Sequence, residues 1–384
     1  DSVAYTLKAF DQFDNAVANS DTVTLTTPGS VTAGFSPGVH EFDGADSLTF
    51  RVSDTTSGSF TVRADNDNNP AVTITSGLIT VLGGDAASII MLSSADSINV
   101  AGERLLQYAL EDIYGNRLSD SLMTFTRFNG NGTFDNGLDS SMVRTNASGI
   151  AQSNYTASDV LSFVEDSIAI NYGVLNDTLA LPLRSSVVSY YTLSPNTDQT
   201  VTVGDSLEFT VTARDQFGNA INNSGSILPE AQGSSTAGFS PSTYDFNGAD
   251  TVTFRVSDST AGSFTVRVEN TGSSAISGSS GLITVNPDSG AISIAKVSGD
   301  ISGIAAGVDQ LLRVRVSDNF ANAIAGDSVR FIVRSGGGNL NTQDSIDVVT
   351  DAAGNTEATL TTGLTAGTNL VTALRVDDRA DSVQ

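Results

Sequence analysis

Several residue types are missing from this chain of 384 residues, and each absence excludes a class of chemistry. There is no cysteine, which excludes disulfides, thiolate catalysis and cysteine-bound metals. There is no tryptophan, which leaves little support for carbohydrate binding. His40 is the only histidine, so no Ser-His-Asp triad can be assembled. No apolar run reaches the length of about 18 residues that a transmembrane helix needs. We expect no enzyme activity and no catalytic residue, and a structural role for His40.

Positive charge is also scarce. Lys8 and Lys296 are the only lysines. The chain has 18 Lys and Arg residues and 43 Asp and Glu residues, which gives a net charge of −25. Nucleic acids bind basic surfaces, so we expect no nucleic-acid partner. An anionic membrane would also repel this chain, and we expect no membrane insertion. Such a charge is typical of a surface that repels its neighbours and that can hold divalent cations.

The chain contains two near-copies of one long segment. F-D-G-A-D-S-L-T-F-R-V-S-D at 42–54 returns as F-N-G-A-D-T-V-T-F-R-V-S-D at 246–258, an offset of 204 residues. The same offset relates many shorter matches, and no gap is needed over about 80 residues. A second, more diverged pair of segments is also present, and one of them follows each copy. The order A-B-A-B predicts four modules: A1 (1–84), B1 (85–186), A2 (187–287) and B2 (288–384).

Apolar and polar residues alternate in most segments. Val252, Phe254 and Val256 occupy every second position of the repeated segment, as do Leu48 and Phe50 in its twin. This period of two predicts strands with one buried and one solvated face. Clusters of Gly, Asn, Asp and Ser separate the strands, and no long stretch has helical periodicity. The predicted fold class is therefore all-β.

All four modules carry one turn signal after an alternating strand. It consists of Asp, a variable residue, an aromatic residue, a variable residue and Asn, and it begins at Asp11, Asp112, Asp215 and Asp318. Asp can cap its own turn, and Gly or Asn tolerates a positive φ. A catalytic site would not be expected four times in one chain. We interpret the signal as a structural turn.

Together with D-S-V-R-F at 327–331 and T-D-A-A-G-N-T-E-A-T-L at 350–360, this turn resembles bacterial immunoglobulin-like repeats, the type found in invasin- and intimin-like adhesins. The B modules match best, although Ala321 stands where the pattern has Gly. The resemblance implies four tandem immunoglobulin-like β-sandwiches of about 100 residues each. It implies the structural repeat region of a bacterial stalk, sheath or filament, extracellular or on the cell surface, and no specific ligand. Adhesin modules that bind a host or a glycan, and spacer domains of a secreted polysaccharide-active enzyme, stay open as alternatives.

The two ends of the sequence do not match complete modules. Asp1 aligns with Asp205, so A1 is expected to lack its first strand. Asp381 aligns with Asp177, so B2 is expected to lack most of its last strand. Either the sequence is cut from a longer repetitive protein, or neighbouring copies of the same protein exchange strands at these edges.

One tripeptide is more frequent than composition predicts. Asp, then Ser or Thr, then an apolar residue or Thr occurs 14 times, where composition predicts about four. One cause is architecture: Asp ends a loop, Ser or Thr opens a strand, and the apolar residue faces the core. The tripeptide also resembles the O-glycosylation signal used in the envelope of one large group of Gram-negative bacteria, and the two causes are compatible. Candidates for covalent glycans are Thr22, Ser47, Thr55, Ser97, Ser121, Ser167, Thr178, Ser206, Thr251, Ser259, Ser328 and Ser345.

One loop could hold a metal ion. D-N-D-N-N at 65–69 offers several oxygen ligands, which suit calcium. No Gly or Glu follows at the spacing of an EF-hand, and the A2 counterpart from Glu269 is poorer in charge. Calcium at Asp65 and Asp67 is the one cofactor that the sequence leaves open, and a solvated turn is the alternative.

Overall fold

The computed structural model describes residues 1–241, 244–290, 292–379 and 381–384. These residues form 34 β-strands and one short 3-10 helix, Leu161–Phe163, which confirms the all-β prediction. No helix among them is long and apolar enough to cross a membrane. Contacts group the chain into two compact units, Asp1–Ser185 and Ser186–Gln384. The boundary lies beside the one predicted between B1 and A2.

Module A1 contains short strands in small sheets. The strands are β1 (Val3–Lys8), β2 (Val23–Thr26), β3 (Gly34–Ser36), β4 (Ser47–Ser53), β5 (Gly58–Phe60), β6 (Arg63–Asn66), β7 (Thr73–Thr75) and β8 (Ile79–Val81). They form the sheets β1-β4-β3 and β2-β6-β7 and the pair β5-β8. Leu48, Phe50 and Val52 of β4 are buried, with 8%, 5% and 2% of their surface exposed. This inward face is the one that the alternating pattern predicts.

Module B1 is a two-sheet sandwich. Its strands are β9 (Ala86–Met91), β10 (Ile98–Asn99), β11 (Glu103–Asp112), β12 (Leu122–Asn129), β13 (Thr133–Phe134), β14 (Ser140–Arg144), β15 (Ile150–Thr156), β16 (Glu165–Tyr172) and β17 (Leu175–Arg184). The sheets are β13-β15-β11-β9 and β10-β17-β16-β12-β14, with β10 parallel to β17. Tyr108 and Tyr155 of the first sheet share one core with Phe125 and Ile168 of the second. Two mainly antiparallel sheets around one core are the architecture of an immunoglobulin-like sandwich.

Module A2 is built on the plan of A1 and has two further strands at its start. Its strands are β18 (Tyr190–Ser194), β19 (Gln199–Thr202), β20 (Ser206–Arg214), β21 (Ile227–Gln232), β22 (Gly238–Ser240), β23 (Thr251–Ser257), β24 (Gly262–Asn270), β25 (Ser273–Ser279) and β26 (Ile283–Asn286). The sheets are β18-β20-β23-β22 and β19-β26-β24-β21, with β25 on β24. Phe209, Phe254 and Val266 are buried. Strands β18 and β19 precede β20, the counterpart of β1.

Module B2 follows the plan of B1. Its strands are β27 (Ile292–Ser298), β28 (Asp309–Asp318), β29 (Ser328–Ser335), β30 (Asn339–Leu340), β31 (Ser345–Val349), β32 (Asn355–Thr361), β33 (Leu370–Arg375) and β34 (Ser382–Val383). The sheets β27-β28-β32-β30 and β31-β29-β33-β34 enclose a core around Val316, Val329 and Phe331. Every pairing among the described strands joins strands of one predicted module. The division of each unit into two modules remains a prediction that these pairings support.

Candidate functional site at the junction between modules

The carboxylate of the first residue builds the Asp–Asn turn. In B1 the Asp112 carboxylate accepts hydrogen bonds from the backbone N–H groups of Tyr114 and Asn116, both at 2.9 Å. The side-chain amide of Asn116 donates to the same carboxylate at 2.8 Å. Gly115, between them, has a φ of 82°. The other turns repeat this positive φ at Asp14 (65°), Gly218 (87°) and Ala321 (67°). The structural turn expected from the sequence is present in all four modules.

The same carboxylate also binds the linker between module A and module B. Gly84 N donates to Asp112 Oδ2 at 2.8 Å, and in the other unit Asp288 N donates to Asp318 Oδ2 at 3.1 Å. Both carboxylates are buried. Burial disfavours their ionised form, but the hydrogen bonds from Asn116 and the backbone outweigh it and lower the pKa of Asp112 to about 2. The pKa of Asp318 is lowered in the same way.

The Asn at the end of the turn reaches into the preceding A module. Asn116 Nδ2 donates to the carbonyl oxygen of Thr55 at 2.8 Å, and Ser57 N donates to Asn116 Oδ1 at 2.7 Å. One carboxamide therefore binds two backbone groups of a single A1 loop. A carboxamide offers both a donor and an acceptor, which a carboxylate or an ammonium group does not. We call these two hydrogen bonds the junction clamp.

The junction clamp recurs in the second unit. Asn322 Nδ2 donates to the carbonyl oxygen of Ser259 at 2.9 Å, and Ala261 N donates to Asn322 Oδ1 at 2.8 Å. The loop atoms lie 204 residues after those of the first clamp, whereas Asn322 lies 206 residues after Asn116. The same hydrogen bonds therefore form in both units, although the segment between the loop and the Asn is two residues longer in the second unit. The sequence interpretation missed this role of the Asn, because nothing local connects residues about 60 positions apart.

A second carboxylate holds the A-module loop in place for the clamp. Asp54 accepts hydrogen bonds from the hydroxyls of Ser30 and Thr32, both at 2.6 Å, and from Thr56 N at 2.9 Å. Burial opposes ionisation of Asp54, but these bonds outweigh it and lower its pKa. Asp258 makes the corresponding bonds in A2. In both A modules, hydrogen bonds within the module therefore hold the loop that the Asn binds.

Two glycines allow close packing at the junctions. A Cβ on Gly83 would lie 2.4 Å from Leu118 Cδ2, and a Cβ on Gly204 would lie 3.0 Å from Phe320 Cζ. Phe320 is the aromatic residue of the B2 turn, so its ring lies against module A2. A side chain at either glycine would require the facing Leu118 or Phe320 side chain to shift.

The twelve glycosylation candidates differ in accessibility. Six are half-buried: Thr22, Ser47, Ser97, Ser121, Ser328 and Ser345. Five are exposed: Thr55, Thr178, Ser206, Thr251 and Ser259. In two of the exposed residues, Thr55 and Ser259, the carbonyl oxygen accepts a hydrogen bond of the junction clamp and the side chain is in solvent.

Ser167 differs from the other candidates, because it is only 7% exposed. Its neighbour Asp166 is fully buried and accepts hydrogen bonds from the backbone N–H of Ser158, at 2.7 Å, and from the Ser158 hydroxyl. Asp166, Ser167 and Ile168 all lie within β16. The expected arrangement, with Asp ending a loop and Ser opening a strand, is wrong for this tripeptide. A buried carboxylate needs partners, and Ser158 satisfies Asp166 here.

The calcium candidates Asp65 and Asp67 are engaged by neighbouring side chains. Arg63 lies 2.9 Å from Asp65 Oδ1, and Thr24 Oγ1 donates to Asp67 Oδ1 at 2.6 Å. Hydrogen bonds, above all from the hydroxyls of Thr73 to Asp65 and Thr24 to Asp67, lower the pKa of both carboxyls. No group of three or more acidic or histidine side chains within the described ranges is arranged to hold a metal ion. Calcium at this pair remains a prediction.

His40 lies in an apolar environment. Its ring is edge-on to Phe35 and Phe50, at centroid distances of 5.6 and 5.7 Å. Burial lowers its pKa, which favours the neutral imidazole. This packing agrees with the structural role expected from the sequence.

No family model and no curated protein matches the sequence. Among solved structures, the chain is similar to the adhesin FdeC of Escherichia coli, with 15% identity and a TM-score of 0.38 over 78% of this chain and 96% of that one. Invasin, a bacterial integrin-binding protein, matches with 14% identity and a TM-score of 0.38 over 100% and 78%. Domains 4 and 5 of the S-layer protein SbsC match with 16% identity and a TM-score of 0.24 over 53% and 99%. Invasin is of the type that the sequence resembles, and identities this low transfer no residue's role.

Proposed function

We propose that this chain is the structural repeat region of a bacterial extracellular stalk, sheath or filament. The observation that supports this best is the junction clamp, present once in each compact unit. Modules joined only by a Gly-containing linker would bend freely. In each A–B pair, the junction clamp and the buried turn carboxylate that binds the linker form hydrogen bonds that resist bending. Such joints suit a load-bearing array, in which length grows with the number of modules.

The surface chemistry supports the same function. A net charge of −25 makes copies repel one another except where they are bonded. We infer that the exposed Asp-Ser and Asp-Thr tripeptides carry O-linked glycans, which would cover strand edges and protect the array outside the cell.

A distance measurement tests the stiffness of the joint. Because the chain has no cysteine, one can be introduced at Val39 in A1 and one at Leu138 in B1, whose side chains are 70% and 59% exposed. Double electron–electron resonance between two spin labels should give one narrow distance distribution. Asn116→Ala should broaden it, whereas Asn15→Ala, in a turn of the same type, should not. A broad distribution in the unsubstituted chain would overturn a stiff stalk.

Mass spectrometry of the natively secreted protein tests the glycans. We expect hexose-mass increments on peptides that contain Thr55, Thr251 or Ser259, and none on the peptide that contains the buried Ser167. Unmodified peptides throughout would remove the glycans and leave the stalk function standing. Electron microscopy of the native assembly tests the polymer, since a fibre should repeat once per A–B pair and dispersed monomers would contradict a filament.

A further inference from the structure

The imidazole ring of His40 is held in module A1 as one neutral tautomer. It is 7% exposed and lies edge-on to Phe35 and Phe50. The ring hydrogen-bonds the backbone of Pro37, which offers only a carbonyl oxygen, so the ring nitrogen in this bond carries a proton. Within the described part of the chain, the buried Nε2 has no hydrogen-bond partner. The proton is therefore on Nδ1, and Nε2 carries a lone pair.

A second proton on this ring would have no acceptor. It would bind at Nε2 and create a charged donor among apolar groups, where a charge without a partner is strongly disfavoured. This burial lowers the pKa of His40. The buried position of the ring and its protonation therefore oppose each other.

An open cavity of about 490 Å³ lies beside the ring. Its walls are formed by β2, Phe35, residues 38–40 and Asp67. Asp67 is the one acidic or basic residue, besides His40, among the described residues that line it. Hydrogen bonds, above all from the Thr24 hydroxyl, lower the pKa of Asp67, so its carboxylate stays ionised in mild acid. A protonated ring that turned into the cavity would meet this carboxylate.

The other charged or titratable residues around the ring do not compete for it. Glu41, the next residue in the chain, and Arg51, next to Phe50 in β4, are exposed. Tyr5 of β1 stacks on Phe50. Asp67 is therefore the partner available to an imidazolium on the side of the cavity.

Module A2 lacks both halves of this arrangement. At the offset of 204, Tyr244 stands in place of His40 and Thr271 in place of Asp67. Tyr244 is 5% exposed and lies edge-on to Phe254 at 5.6 Å, as His40 lies edge-on to Phe50 at 5.7 Å. Burial raises the pKa of Tyr244, so its phenol stays neutral in acid. In A2 the same position is filled by a ring that acid does not charge.

We propose that His40 is a pH-operated latch of module A1. At neutral pH the ring packs against Phe35 and Phe50 and holds its segment on β2, where Val23 N donates to the carbonyl oxygen of His40 at 2.8 Å. In mild acid the ring takes a proton from solvent at Nε2, turns into the cavity and pairs with Asp67. The segment around His40 then loosens from β2. This latch requires neither the stalk function nor the glycans.

The direction and size of the effect follow from proton linkage. The open state, with its ring in solvent, has a pKa near the ordinary 6.5, and the closed state has a lower pKa, so acid favours the open state. The closed state keeps its full advantage above about pH 6.5 and loses it as the pH falls below that value. One proton raises the ratio of open to closed by up to about tenfold between pH 7.5 and pH 5.5. Histidine is the side chain that ordinarily titrates in this range, and His40 is the only one.

Amide hydrogen exchange of the full chain, read residue by residue, tests the latch. The Val23 N–H reports on A1, and the Ile227 N–H, which donates to the carbonyl oxygen of Tyr244 at 3.0 Å, is the matched reference in A2. After division by the intrinsic rates, exchange at Val23 should be up to about tenfold faster at pH 5.5 than at pH 7.5, and Ile227 should not change. Unchanged exchange at Val23, or the same acceleration at both amides, would overturn the proposal.

Three variants separate the parts of the latch. His40→Tyr copies A2 and should make exchange at Val23 independent of pH. Asp67→Asn should lower the pKa of His40, read from its single imidazole signal by NMR, and weaken the acceleration at Val23 about threefold. Asp65→Asn is the matched control, because Asp65 pairs with Arg63 and does not line the cavity, and it should leave both readings unchanged.

Each variant can contradict the latch. Acceleration at Val23 that persists in His40→Tyr would show that another group senses the pH. Equal His40 pKa values in Asp67→Asn and the unsubstituted chain would remove the ion-paired position, and the latch with it. The comparison of Val23 with Ile227 needs no substitution, so it decides even where a variant does not fold.

Discussion

Replacing Asn116 with alanine should loosen the A1–B1 junction and leave the A2–B2 junction intact. The substitution removes the 2.8 Å bond to the carbonyl of Thr55 and the 2.7 Å bond from the N–H of Ser57. A hydrogen bond contributes a net stabilisation of about 1 kcal/mol, so the two together contribute about 2 kcal/mol to the free energy of local opening. The substitution also removes the bond from Asn116 to Asp112, which acts within the turn.

Hydrogen exchange of single amides measures this local opening. The Ser57 N–H is protected by Asn116 Oδ1, and a loss of about 2 kcal/mol corresponds to roughly thirtyfold faster exchange. The Ala261 N–H, protected by Asn322 in the other unit, is a reference in the same molecule and should not change. Asn15→Ala removes the same side chain from a turn in which the amide donates to Asp11, and it should leave Ser57 protected.

Two results would refute this reasoning. Unchanged exchange at Ser57 in Asn116→Ala would mean that the clamp contributes nothing to the junction. Equal acceleration at Ser57 and Ala261 would mean that the variant acts on the whole chain, and that the joint has no separate stability.

The remaining predictions concern carboxylates. Asp112, whose folded pKa of about 2 lies below its ordinary 3.8, stabilises the fold fully above about pH 4. Up to about 2 kcal/mol is lost as the pH falls toward 2, and denaturation at several pH values, with Asp112→Asn as control, measures it. Asp327 and Arg375 form an ion pair whose side chains are only 7% and 11% exposed. Asp327→Ala leaves the buried Arg375 charge without its partner and should lower the free energy of unfolding, measured by chemical denaturation, by about 3 kcal/mol. Asp120→Asn removes the charge from an exposed pair with 83% of the Asp side chain accessible, keeps a residue type that tolerates the φ of 53° at this position, and should lower the free energy of unfolding by less than about 0.5 kcal/mol. If calcium binds in A1, it should raise the melting temperature, and Asp67→Asn should abolish the shift.

The strands and their inward faces follow from the sequence. Leu48, Phe50 and Val52 are buried at alternate positions of β4, as are Phe254 and Val256 in β23. One face of each strand is buried on folding, so the alternation of apolar and polar residues shows which face that is. The turn residues were predictable for a similar local reason, since the Asp carboxylate bonds backbone groups two and four positions later.

The junction clamp was not predictable from the sequence. Its two halves lie about 60 residues apart, and the loop contributes only backbone atoms, which leave no side-chain pattern. The interior position of Asp166 was missed because the same tripeptide stands elsewhere at exposed loop ends. Gly130, where a Cβ would lie 1.8 Å from Asp166 Oδ1, packs against this carboxylate from 36 positions away, so no local pattern in the sequence marks it.

The junction clamp has a consequence for how such a protein can vary. Asn116 binds backbone atoms of Thr55 and Ser57, and Asn322 binds the same atoms of Ser259 and Ala261. The loop side chains differ between the copies, yet the bonds are the same. The side chains at these loop positions can therefore change while the hydrogen bonds of the joint stay in place.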